Sequence, residues 1–259
     1  MFLAAAATTS QLARIKGLLM PISTNSQGWA KNRLLAALPG EVFDRLLPHL
    51  HPVSFVPRHV VYESNAHMED LYFPTTCVVS LLYTMTDDAT AEIGLVGNDG
   101  VVGIALFMGG STRPNRAVVQ VAGDAFSVPA PVIQEEFKLG GPCQILLLRY
   151  TQALITKISQ TAVCNRLHTP EQRFCRWLLR IHDRVESAEL RITHEFIAKM
   201  LGGRREGVTR AAGHLQAAGL IRCDRGQITI LDRQGLEAAS CECYQVVKNE
   251  FDRLLNNGL

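Results

Sequence analysis

The strongest constraint in this 259-residue chain is a glycine pair, Gly202-Gly203, set between two short segments of helical apolar spacing. Before the pair, Thr193 is placed to cap a helix running through Ile197, Ala198 and Leu201. After it, a second helix begins near Arg204 and runs through Val208, Ala211, Ala212 and Leu215 to Gly219. Two short helices packed at a steep angle need small residues where they approach, and a residue tolerant of positive φ in the turn. Ala198, Gly202 and Val208 supply these at intervals of four and six. That is the spacing of a helix-turn-helix, whose second helix enters the major groove of duplex DNA. Residues 220–223, the turn Asp224-Arg225-Gly226-Gln227 and residues 228–231 then read as a β-hairpin wing, with Arg225 at its tip in reach of a phosphate.

The outward face of the second helix carries Arg204, Arg205, Glu206, Thr209 and Arg210. Arginine pairs bidentately with guanine, and glutamate accepts from the cytosine amino group. A solvated charged face is the ordinary alternative, but these charges follow a glycine corner at a helix start. Charge distribution agrees. Residues 166–235 hold 13 Lys+Arg against 8 Asp+Glu, a net of +5 within a chain of net +2, so the remainder carries −3. A basic C-terminal part on a mildly acidic body suits a local phosphate-contacting surface.

Upstream, the pattern changes twice. A helical run from Asn32 through Leu34, Leu35, Leu38, Val42, Leu46 and Leu47 is interrupted by Pro39-Gly40. Short β-rich runs follow at 53–56, 59–62, 71–73, 77–83, 91–96, 117–121 and 125–128, separated by turn residues. This spacing predicts a rolled antiparallel sheet. Gly140-Gly141-Pro142 breaks the chain and opens a helix free of further Gly or Pro to about Arg166. Leu147, Thr151, Leu154, Ile158 and Thr161 form a coiled-coil-like seam on it, while Leu148, Ile155 and Ala162 form a neighbouring stripe suited to the β domain. A dimer spine packed on its own domain would have two such faces; so would a core helix in a monomer. Thr169-Pro170-Glu171 starts another amphipathic helix through Phe174, Trp177, Leu178, Ile181 and Val185.

The expected fold is α+β. A mobile extension covers 1–31, a β-roll 32–138, a dimerisation helix 139–162, a winged helix-turn-helix 163–236, and a helical extension 237–259. Apolar residues at 47% and charged residues at 19% exclude a disordered chain. Seven cysteines without framework spacing fit free thiols in a reducing cytoplasm, and no stretch is long enough to span a bilayer. No Gly-rich phosphate loop, metal-ligand constellation or nucleophile–base pair is evident, and His168, His182, His194 and Glu195 are scattered over helices, so an enzyme is not expected. A sensor or protein-interaction module with a winged helix that binds no specific DNA is the alternative.

The run Ile192-Thr193-His194-Glu195, followed by Leu201-Gly202-Gly203-Arg204-Arg205-Glu206-Gly207-Val208-Thr209-Arg210, resembles the Crp/Fnr family of bacterial transcription regulators. The resemblance spans about residues 34–236, in the order β-roll sensor, dimer helix, winged helix-turn-helix. It implies a cyclic-nucleotide-binding-like roll and a homodimer on a pseudo-palindromic operator, gated by an effector and working with RNA polymerase. By position, Arg205, Glu206 and Arg210 resemble the base readers. Thr193 and His194 resemble backbone contacts, to which the residues themselves add Arg204, Thr209 and Arg225. The Arg-Glu-x-x-x-Arg run is similar to that of members reading TGTGA-like half-sites.

The sensor pocket departs from the cyclic-nucleotide members, which carry Gly-Glu and then Arg followed by Ser or Thr and Ala. The corresponding residues are Gly103-Ile104 and Asn115-Arg116-Ala117; Arg113 and Arg116 could substitute after a register shift. Isoleucine cannot accept a ribose hydrogen bond, and losing such a buried partner costs a ligand about 1–3 kcal/mol. Cyclic AMP is therefore not expected as a tight ligand, and the effector stays unnamed. The first cysteine is Cys77, so the N-terminal cluster that holds an iron–sulfur centre in the oxygen-sensing branch is missing, and that cofactor is not expected. Haem stays open through His51, His59 and His67, although isolated histidines are more often surface residues. Cys241-Glu242-Cys243 offers two thiols, and a zinc site would need partners from elsewhere. The expectation there is no metal, and a C-terminal helix packing Leu236, Tyr244, Val247 and Phe251. Cys143 and Cys164 flank the long helix and are read as buried, inert thiols, with redox response as the alternative.

Overall fold

A computed structural model describes residues 28–256 except positions 88, 113 and 186. The expected mobile extension therefore lies, up to residue 27, outside the described residues. Gly28–Lys31 form a 3-10 turn, and the Trp29 ring sits 4.1 Å from that of Phe43. Two short helices follow, α1 (Arg33–Ala37) and α2 (Gly40–Leu46). Asn32 starts α1 by accepting from the amides of Leu34 and Leu35, which satisfies two orphan donors of the first turn.

Among the described residues, seven antiparallel strands make the roll: β1 (His51–Phe55), β2 (Val60–Tyr62), β3 (Asp70–Pro74), β4 (Val78–Thr84), β5 (Thr90–Val96), β6 (Arg116–Val121) and β7 (Gly123–Pro129). They pair as β1-β7-β3 and β2-β6-β4-β5. Alternate residues of a strand face opposite sides of its sheet. In β4 both faces are buried. Val79 and Leu81 join the roll core with Leu71, Phe73 and Val119, while Val78 and Leu82 join a second core around Trp177. The C-terminal domain thus docks directly on the outside of the roll.

Three helices frame the roll: α3 (Ala130–Lys138), α4 (Gly141–Leu167) and, from the far end of the sequence, α9 (Cys243–Asn256). The 27 residues of α4 span about 40 Å. Helix α9 packs along α4 and sinks Val247, Phe251, Leu254 and Leu255 into the roll core. The expected packing residues Leu236, Tyr244, Val247 and Phe251 are all buried, but the latter two complete the roll rather than the winged helix.

The winged domain comprises α5 (Pro170–His182), α6 (His194–Met200), α7 (Arg205–Ala217), α8 (Arg233–Ala239) and the strands β8 (Glu189–Arg191), β9 (Ile221–Asp224) and β10 (Gln227–Ile230), paired β8-β10-β9. A capping box between Thr169 and Gln172 opens α5. Phe174, Trp177, Leu178, Ile197, Leu215, Ile228 and Leu236 fill its core, and each such large side chain contributes roughly 1.5–3 kcal/mol on burial. The α+β order expected from sequence is the order observed. No helix among the described residues is long and apolar enough to cross a membrane.

The structure corrects the assignment of faces on α4. Leu147, Thr151, Leu154 and Thr161, expected at a dimer seam, are buried within their own chain, and Ile158 is half-buried against the roll core. The stripe expected to face the β domain is the exposed one: Leu148 is 48% and Ile155 56% exposed. Ile145, Leu148, Gln152, Ile155, Ser159, Ala162 and Arg166 are all exposed at a three-four repeat, which is a continuous heptad seam. Both stripes are apolar, so periodicity alone does not say which one the fold covers.

Candidate nucleic-acid interface

The corner between α6 and α7 is a Schellman motif. Gly202 takes φ +60°, its amide donates to the Lys199 carbonyl at 3.2 Å, and the Gly203 amide donates to the Ala198 carbonyl at 2.9 Å. A left-handed residue closing the helix this way turns the chain sharply and leaves α7 to start afresh at Arg204. Ala198 and Val208 are each 4% exposed where α6 and α7 meet. Thr193 caps α6 by accepting from the Phe196 amide at 3.2 Å.

Helix α7 buries Val208, Ala211, Ala212 and Leu215. On the opposite face Arg204, Arg205, Glu206, Thr209 and Arg210 are exposed. Among the described residues Arg204, Arg205, Glu206 and Arg210 form no ion pair, whereas Arg33, Arg45, Arg184 and Arg233 are matched to carboxylates within the chain. The first turn of α7 therefore presents guanidinium groups whose donors are turned to solvent.

The wing is a tight hairpin in which Asp224 opposes Gln227. Its two central residues, Arg225 at φ +39° and Gly226 at φ +82°, give the left-handed pair of a type I′ turn. A groove runs between the start of α6, the start of α7 and the wing, lined by Thr193, His194, Arg205, Arg225 and Gln227 among others. His194 Nδ1 and Thr209 Oγ1 lie 3.2 Å apart, so these two expected backbone contacts are held together. Burial, and then the charge of Arg205, push the His194 imidazole below its usual range. The third strand of the wing sheet, β8, has no counterpart in the sequence reading: three residues with only Leu190 buried carry too short an alternation.

The expected effector residues sit differently. Gly103 adopts φ +112°, and Ile104 is 6% exposed inside the roll core. Asn115 is buried and donates to the Tyr62 hydroxyl at 3.0 Å, Arg116 pairs with Glu63 at 3.1 Å, and Ala117 is fully buried. Arg113 lies outside the described residues. His51, His59 and His67 are all exposed, and His59 stacks on Phe55 with ring centroids 5.1 Å apart. Cys143 is buried, and burial pushes its thiol up to about 12, which leaves it protonated and unreactive.

Residues 172–239 match the Crp-like helix-turn-helix domain family. No curated protein sequence matches the chain. Among solved structures it is similar to FixK2 from Bradyrhizobium japonicum, with a TM-score of 0.64 and 17% identity over 74% of this chain and 98% of that one. It is also similar to a putative Crp/Fnr-family transcriptional regulator from Eubacterium rectale, with a TM-score of 0.64 and 19% identity over 80% and 96% of the two chains. A third similar structure is CLP, a c-di-GMP responsive global regulator from Xanthomonas campestris, with a TM-score of 0.61 and 19% identity over 75% and 100%. The chain therefore has the Crp/Fnr transcription-regulator fold and carries, at residues 172–239, a Crp-like helix-turn-helix domain.

Proposed function

We propose that this protein regulates transcription by binding a pseudo-palindromic operator in duplex DNA as a homodimer. One observation carries the reading: Arg205, Glu206 and Arg210 project exposed, and among the described residues without ion pairs, from a helix that a Schellman corner aims outward. In the major groove Arg205 and Arg210 take guanine edges and Glu206 accepts from a cytosine amino group. Arg204, Thr193, His194, Thr209 and Arg225 contact the flanking sugar-phosphate backbone.

The homodimer forms through the exposed seam of α4, with Leu148 and Ile155 at its centre. Two-fold symmetry then puts half-site centres about one helical turn, roughly 34 Å, apart. The roll acts as the effector-responsive part and the bound dimer works with RNA polymerase. Cyclic AMP is not a tight effector: Ile104 offers no acceptor and is packed in the roll core, and Asn115 is already engaged by Tyr62. Micromolar cyclic AMP binding by calorimetry would overturn that part of the proposal.

Selection of bound duplexes from a random pool by the full-length protein tests the whole reading. A two-fold symmetric consensus with helical-turn spacing is expected. Uniform recovery of all sequences would support the alternative of a sensor module that does not read DNA.

A further inference from the structure

Four side chains from distant parts of the sequence converge where the winged domain joins the rest of the chain. Cys164 lies on the last turn of α4 and His168 is its C-cap, one turn further on. Cys241 and Cys243 lie at the junction of α8 and α9. One ligand atom from each of the four lies within 4.8 Å of every other. The Cys164 and Cys241 sulfurs are 3.5 Å apart, and Cys243 Sγ is 3.4 Å from His168 Nδ1. The three cysteines are at most 4% exposed, and His168 is half-buried.

We propose that Cys164, His168, Cys241 and Cys243 form a structural zinc site that staples the entry and exit of the winged domain together. The donor set, three thiolates and one imidazole, is that of closed tetrahedral zinc sites. Around a zinc ion with Zn–S bonds of about 2.3 Å, neighbouring sulfurs stand roughly 3.8 Å apart, so the cluster needs only small adjustments. A four-iron cubane spaces its cysteine sulfurs more widely, because each binds a different iron, and this cluster is too tight for one.

The surroundings are those of an outer ligand shell. With Nδ1 turned to Cys243, His168 points Nε2 at Glu242, 3.3 Å from Oε2, the carboxylate partner that fixes the tautomer of a metal-bound histidine. Gln160 Nε2 donates to Cys243 Sγ at 3.1 Å, and the buried guanidinium of Arg176 acts electrostatically on Cys164. Binding one Zn²⁺ releases three thiol protons and leaves the centre with a net charge of −1, which Arg176 offsets. No oxidant or reductant is required. The spacing Cys-x-x-x-His on one helical turn and Cys-x-Cys beyond the wing contains only half the set at either place, so neither half reads as a metal site alone.

The test uses full-length protein expressed in zinc-supplemented medium and purified under reducing, anaerobic conditions. Elemental analysis should give about one zinc per chain in the wild type and in Cys223→Ser. Cys241→Ser and His168→Gln should lose most of it. Replacing zinc by Co²⁺ in the wild type should give intense tetrahedral ligand-field bands and thiolate-to-cobalt charge transfer; this readout needs no variant to fold. Zinc content unchanged in Cys241→Ser, a metal-free wild type carrying a Cys164–Cys241 disulfide, or octahedral cobalt spectra would each overturn the proposal. Acid-labile sulfide with a brown chromophore lost in the same variants would replace zinc by an iron–sulfur centre and overturn it equally.

Discussion

Arg184 of the winged domain and Asp99 of the roll form a bidentate ion pair at the seam between them. Nε donates to Oδ1 at 3.0 Å and Nη2 to Oδ2, with both side chains about nine-tenths buried. Buried pairs lose strongly when one partner is removed, because the other charge is left without compensation. Asp99→Ala should therefore destabilise the protein by about 3–5 kcal/mol, read as a lower urea midpoint with an unchanged slope. A loss under about 1 kcal/mol would show that Arg184 finds water or another partner.

The same pair predicts an acid limb. Burial alone would raise the Asp99 carboxyl, but Arg184 beside it, with Lys157, holds it well below the usual carboxylate range. In the unfolded chain it titrates near 3.9, so below about pH 4 unfolding takes up a proton that the folded state refuses. The stability from this group is complete above that pH and drains at up to about 1.4 kcal/mol per unit as pH falls further. Asp99→Asn should remove that part of the slope between pH 4 and pH 2. Identical acid limbs for the two proteins would exclude Asp99 as the source.

Arg205→Ala should weaken operator binding by about 1–3 kcal/mol and relax preference at one base pair per half-site. Anisotropy titrations against all single-base variants of the selected operator measure both. An equal loss on every sequence would move Arg205 from the bases to the phosphates.

Arg225 should behave in the opposite way. It occupies a left-handed position, so Arg225→Gly removes the charge without straining the hairpin, whereas a β-branched residue would confound the result. Arg225→Gly should lower affinity almost uniformly across sequences and reduce the salt slope by about one for each half-site. An unchanged salt slope would place the wing tip away from DNA.

What could be read from sequence was what repeats locally. The seven roll strands show themselves through apolar runs between turns, and the Gly202 corner through three residues at fixed intervals. What could not be read depends on approach in space. Helix α4 carries two apolar stripes, and only the docking of α9 and the roll decides that Leu147 is covered and Leu148 exposed. Lys157 looks like a solvated residue on such a helix, yet it is 2% exposed, donates to the Leu95 carbonyl and lies 5.2 Å over the Phe251 ring. Cys164 and Cys241 are 77 positions apart, and no local pattern joins them.

The two faces of α4 give paired tests. Leu148→Asp with Ile155→Asp adds charges to the exposed seam, where the folded chain itself is indifferent. The variant should stay folded by far-UV circular dichroism, lose any concentration dependence of its thermal midpoint, sediment as a monomer and lose operator affinity. Leu147→Ala, on the covered face, should instead cost about 2–5 kcal/mol of fold stability while leaving any dimer interface untouched. A dimer that survives the double aspartate variant would rule out the seam.

Gly202→Ala isolates the geometry on which base reading rests. A Cβ at Gly202 would meet only the Ala91 methyl at 3.8 Å, so there is no steric clash to relieve. The whole penalty comes from holding an L-residue at φ +60°, about 1–2 kcal/mol. Asparagine tolerates this region better, so Gly202→Asn should recover part of the loss, an order that a packing defect would reverse because Asn is larger. If the corner is what aims α7, operator affinity should fall further than stability in Gly202→Ala and return with Gly202→Asn. Affinity that follows stability alone through both variants would mean that α7 is held in place by its core contacts at Val208 and Leu215, not by the turn before it.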